Sequence, residues 1–152
     1  MNSSLARTVL RARRLIPLLI LSGFLSSCGV GWESYVYLHQ TQSVPPNAVV
    51  AVVGKIKGVS VVSPPQKNLP PDTVLNSVQV KRGDVVAVVM FPTHAGLKSR
   101  LSSIVIGTQT QSANGKEFVD ELADNLQKKF GDPSRKPKTV RSVDYAGARQ
   151  GS

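Results

Sequence analysis

The sequence predicts an α+β domain: a small, valine-rich, mainly antiparallel β-sheet with one C-terminal amphipathic helix and a flexible basic tail. Three observations lead there. Short β-branched runs between residues 48 and 106 are separated by clusters of Pro, Gly, Asn and Asp. A single stretch, residues 114–131, repeats its apolar side chains at helical spacing. From residue 132 the chain turns basic and polar, with too little apolar surface to bury. At 152 residues, 41% of them apolar, it suits one domain with a modest core. The expected organisation is a signal peptide over 1–27, an N-terminal lead segment over 28–47, the α+β domain over 48–131 and the tail over 132–152.

Residues 1–27 read as an export signal. Arg7, Arg11, Arg13 and Arg14 make a basic start without an acid, and the apolar run Leu15–Leu25 follows. That run falls short of the about 20 residues a membrane-spanning helix needs and matches the hydrophobic stretch of a secretory signal. Leu25-Ser26-Ser27-Cys28 closes the segment, and Cys28 is the one cysteine of the chain. This junction resembles the lipobox of bacterial lipoproteins. The resemblance covers residues 1–29. It implies cleavage before Cys28, acylation of its thiol and its new amino terminus, and the stable membrane attachment that two or more acyl chains give. Gly29 stands where an aspartate commonly retains such proteins in the inner membrane, which implies the outer membrane, periplasmic face. An ordinary cleaved signal, an uncleaved anchor and an organelle presequence share the basic, acid-free start. Arg13-Arg14 lacks the surroundings of a twin-arginine signal.

The lead segment alternates, with Trp32, Ser34, Val36 and Leu38 on one face and Glu33, Tyr35 and Tyr37 on the other, as in a first strand. Trp32 and the two tyrosines also suit a membrane interface beside an anchor. Ser43-Val44-Pro45-Pro46-Asn47 breaks the pattern, and Ala48–Val53 reads as a buried strand. Val59–Ser63 is a second strand after Gly58. The prolines at 64, 65, 70 and 71 make a stiff loop without sheet bonding. Val74–Val80 and Val85–Phe91, joined by Lys81-Arg82-Gly83-Asp84, form the clearest hairpin, and the second strand is apolar throughout. Arg82-Gly83-Asp84 spells an integrin-recognition tripeptide, but a turn accounts for it: glycine permits positive φ and the charges face water. Leu97–Ser103 suits a helical turn, Ile104–Ile106 a short strand and 107–113 a polar link.

In the helix, Phe118, Leu122 and Leu126 recur at i,i+4, and Val119, Ala123 and Phe130 widen the stripe. Asn114 and Glu117 have capping-box spacing. Acids lie early and Lys128-Lys129 late, in keeping with the helix dipole. Gly131 and Pro133 end the helix. In the tail, Val140, Val143 and Tyr145 offer one short edge strand. A sheet with so little helical cover must pair its other face with a second layer or with another protein.

The chain carries 19 basic against nine acidic residues, a formal charge of +10, but this is a weak nucleic-acid signal. Four basic residues belong to the signal, and the body has no basic stripe interleaved with aromatics. Nucleic acid is therefore not the expected partner. An anionic lipid or polymer suits the basic tail better. The candidate partner surface is Lys128, Lys129, Arg135, Lys136 and Lys138.

No catalytic, cofactor or metal site is expected. His39 and His94 have no adjacent acid, and the nucleophile elbow and the phosphate loop are both missing. Of the two, His94 is the position to inspect. Asp120 and Asp124, one turn apart, read as a solvated helix face rather than a cation site. The leading expectation is a lipid-anchored, non-enzymatic interaction or scaffold component of an envelope assembly, such as a secretion, conjugation or outer-membrane system. It has a protein partner and a solidly packed helix–sheet seam. The alternative, a lipoprotein binding lipid or another apolar ligand, requires a continuous apolar pocket between Phe118, Leu122, Leu126 and the sheet.

Overall fold

Alternation along Trp32–Tyr37 makes the first strand, β1, with Ser34 and Val36 buried and the other four residues half-buried. The computed structural model describes residues 31–142. After β1 come α1 (Pro46–Val53), β2 (Val59–Ser63), β3 (Leu75–Arg82), β4 (Val85–Pro92), α2 (His94–Lys98), β5 (Ser103–Thr108), α3 (Ala113–Phe130) and β6 (Lys138–Arg141). The six strands form one antiparallel sheet in the order β2-β3-β4-β5-β1-β6. The α+β class and the C-terminal helix are thus as the sequence predicts.

The β3–β4 hairpin forms where expected. Arg82 pairs with Val85, leaving Gly83-Asp84 as a two-residue turn with Gly83 at φ 57°. Glycine at the first central position is what a II′-type turn requires. Arg82 then leaves the turn for the helix layer: its guanidinium pairs with Glu121 and lies 4.7 Å from the centroid of the Phe118 ring. The tripeptide therefore closes a hairpin and ties it to α3.

Helix α3 lies across β1, β4, β5 and β6, and α1 packs beside it over β2 and β3. Phe118, Leu122 and Leu126 are 0% exposed, as are Val36, Val78, Val80, Val89, Ile104 and Ile106 of the sheet. Helix and sheet meet in one continuous core.

Three local expectations are corrected. The run Ala48–Val53 is helical, not a strand. Pro46 supplies φ at the first helical position, and the amides of Ala48 and Val49 donate to Pro45 O at 3.0 and 3.2 Å. Val44 and Val49, the two positions of a hydrophobic staple, are both buried. Val49 and Val53, four apart, then face the core. Packing at helical spacing overrides the β-preference of valine. The second correction concerns α3. Its cap is Ser112, whose Oγ accepts from the Gly115 amide at 3.3 Å, rather than Asn114, and its first turn contains no acid. At the other end Gly131 is extended, at φ −70° and ψ 161°, not left-handed.

The third correction is the tail, whose first 11 residues, 132–142, belong to the fold. Asp132 N donates to Tyr37 O at 2.6 Å, and Gln127 Nε2 on α3 donates to the carbonyls of Asp132 and Arg135. Lys138–Arg141 then pair with Trp32–Tyr35 as β6. Thr139 Oγ1 reaches both the buried Ser34 hydroxyl and Asp120 Oδ1, at 3.1 and 2.6 Å. Val140 thus lies in an edge strand, while Val143 and Tyr145 fall outside the described residues. β1 and β6 share one sheet with the 75–108 strands, so the expected boundaries at 47/48 and 131/132 do not separate structural units.

Candidate interaction surface

Side chains that alternate with the core project from the opposite face of the sheet, which α1 and α3 leave open. Strand β4 is the centre of this face. Ala87, Val89 and Phe91 are buried under the helices, while Val86, Val88 and Met90 point the other way and are only half-buried. An antiparallel strand with one solvated face normally alternates apolar with polar residues. β4 is apolar on both sides.

The register assembles its surroundings. Across the sheet one row runs Ser77, Met90, Val105, Tyr35, Lys138, and the next runs Gln79, Val88, Gly107, Glu33, Val140. Leu75 on β3, 38% exposed, extends the apolar area. Its charged rim is basic. Lys81 stands at the β3 side and Lys138 at the β6 side, and both are exposed. Arg135 places its guanidinium 5.1 Å from the Tyr37 ring centroid. The one acid on the face is Glu33, whose Oε2 accepts from the Tyr35 hydroxyl at 2.9 Å.

The five basic residues expected to form a partner surface are all exposed, but they do not form one patch. Arg135 and Lys138 border the open sheet face, whereas Lys128 and Lys129 sit in the last turn of α3 on the other layer. Lys136 lies in the turn between. Trp32, weighed as a membrane-interface residue, is held by the domain. Its Nε1 donates to Gln111 O at 3.3 Å, and Lys116 Nζ lies 5.7 Å from its ring centroid. Cys28 lies outside the described residues.

His94 is exposed at the start of α2. Asp120 is taken up by Lys116 Nζ at 2.6 Å and by the Thr139 hydroxyl. Among the described residues no group of three or more His, Cys, Asp or Glu is placed to hold a metal ion, and no helix is long and apolar enough to cross a membrane. An open cleft of about 520 Å³ lies at the hairpin end, lined by residues that include Arg82, Asp84, Thr110, Ser112 and Glu117. It opens beside the end of the seam, where Arg82 lies over Phe118, while the Phe118, Leu122 and Leu126 side chains themselves are fully buried.

The turn after α3 holds a perturbed carboxyl group. Asp132 is held below its ordinary 3.8, chiefly by hydrogen bonds from the Ser134 hydroxyl and amide at 2.7 and 2.9 Å. Desolvation opposes this, and the charges of His39 and Arg135, each 3.9 Å away, add to it. The folded form holds this proton less tightly than the unfolded chain. Its contribution to stability is therefore present above pH 3.8 and lost as the pH falls through the lowered folded value. Urea midpoints of the wild type and Asp132→Asn should differ above pH 3.8 and converge as the pH falls below it.

No protein-family model, curated protein or solved structure matches the chain. The class is therefore defined by the architecture alone: a six-stranded antiparallel sheet covered by helices on one face, with an apolar, basic-edged face on the other. Sequence reasoning missed most of the open-face residues as a group. The available signal was the unbroken apolar run of β4.

Proposed function

We propose that this chain is a membrane-anchored periplasmic lipoprotein, held at the outer membrane by acyl chains on Cys28. It acts without catalysis, as an interaction or scaffold component of a cell-envelope assembly. The observation that carries the interaction reading is β4, apolar on both faces and covered on one. A surface of this kind is costly to leave in water and is a normal feature of a binding face. The packed seam under α3 supports this reading over binding of a lipid or other apolar ligand, because such a ligand needs an unfilled pocket there. The anchor reading rests on the lipobox-like Leu25-Ser26-Ser27-Cys28. Cys28 is four residues before the first residue of β1, a reach of about 13 Å when extended, so an anchored domain stays beside its membrane.

The test of the anchor is metabolic labelling with a fatty-acid probe, beside a Cys28→Ser variant, with the mature mass measured in separated membrane fractions. Label and cleavage before Cys28, both lost in the variant, are the expected outcome. An unlabelled chain that fractionates away from membranes would remove the anchor from the reading.

A further inference from the structure

We infer that the open sheet face docks an acidic-edged amphipathic segment of another envelope protein, seated over a notch at Gly107. This rests on the scaffold reading and specifies its partner.

Gly107 lies inside β5, between Val88 of β4 and Glu33 of β1, with Val105 two residues away on the same face. Among the described residues nothing requires glycine there. Its φ lies outside the left-handed region, and among the described residues a Cβ would meet only Glu33 Cγ, at an ordinary 3.9 Å. Three other glycines differ: a Cβ on Gly31, Gly96 or Gly115 would fall 2.0–2.2 Å from a backbone carbonyl oxygen. Glycine weakens a strand interior, and where no turn or clash demands it, it leaves room for close approach by another chain. The gap it leaves is bordered by Val88, Val105, Met90 and Tyr35.

Charge selects the occupant. The exposed cations beside this apolar centre are Lys81 and Lys138, and Arg135 adds a third over Tyr37. A second copy would bring the same cations to the same rim. Each chain from Cys28 onward also carries 15 basic and nine acidic residues, a net +6 that opposes self-association. The acyl region of a bilayer offers no hydrogen-bond donor to the Glu33 carboxylate in the middle of the contact, whereas a peptide segment can place one there. A helix or strand with an apolar stripe flanked by Asp or Glu satisfies the centre and the rim together.

The experiment places a photo-crosslinking residue at Ser77, exposed beside Met90, in the full-length protein in the cells that make it. Val62 and Lys128 serve as comparison positions. The expected product from Ser77 joins a peptide with apolar residues flanked by acids. Its yield falls about tenfold or more in Gly107→Val, which fills the notch, while that variant keeps or raises the wild-type melting temperature. Lys81→Glu combined with Lys138→Glu, both at exposed positions, lowers the yield as well. A product with a second copy, with lipid or with a peptide lacking acids overturns the inference, as does a yield indifferent to Gly107→Val or a destabilised variant. Silence at Ser77 with products at Val62 or Lys128 overturns it and leaves the scaffold reading standing. Silence at all three positions overturns both.

Discussion

Phe118→Ala should destabilise the domain by about 3–5 kcal/mol, enough to leave a large fraction of molecules unfolded. The ring is 0% exposed at the seam between α3 and the sheet, so its removal loses buried area and leaves a cavity that the β-strands cannot close. It also removes the surface on which Arg82 rests at 4.7 Å, so the hairpin loses part of its tie to α3. Urea unfolding with and without the substitution measures the loss. Leu122→Ala, one turn on and equally buried, should cost about 2–5 kcal/mol. The result discriminates between readings. A helix that forms the lid of a ligand groove tolerates truncation on its inner face, and a loss below about 1 kcal/mol would favour the apolar-ligand reading over a packed core.

The second large effect is expected on stopping the chain after Gly131. This removes β6 and the four residue pairs of its ladder with β1. It also strips Thr139 from the buried Ser34 hydroxyl and Ser142 from the Gly31 amide. At about 0.5–1.5 kcal/mol for each hydrogen bond lost, these two side-chain bonds alone cost about 1–3 kcal/mol, and the ladder adds to that. β1 would become an edge strand, and amide-exchange protection over Trp32–Tyr37 should fall with the urea midpoint. An unchanged midpoint would restore the flexible tail that composition suggests.

Composition misleads there for a physical reason. Lys138-Thr139-Val140-Arg141 has one strongly apolar residue, and nothing local marks it as a strand. Its stabilising partners, Ser34 and Asp120, are supplied by β1 and α3, and no short window contains them. The six residues Ala48–Val53 fail differently. A run that short fits a buried strand or one face of a helix equally well. The deciding signals were Pro45-Pro46 and the Val44/Val49 spacing, both visible in the sequence. The hairpin and α3 were legible because their determinants are local: Gly83 at a positive φ, and an apolar stripe over 18 residues. The interaction face was half legible. The unbroken apolar run of β4 announces it, but only the register brings Tyr35, Gly107 and Lys138 alongside. The same register divides the five basic residues between two layers.

The place of β1 in the sheet also sets when this chain can fold. Its earliest-made strand lies between β5 and β6, the last two to emerge, and the bond from Gly31 to Ser142 spans 111 positions. Contacts so distant in sequence close slowly, because the loop entropy is lost before the contacts form. A chain passed through a membrane from its N-terminus therefore presents β1 without β5 until Thr108 has crossed, and without β6 until Arg141 has crossed. If the chain is exported as proposed, this delay keeps the polypeptide threadable during translocation, and the sheet closes only once β6, the last strand among the described residues, arrives.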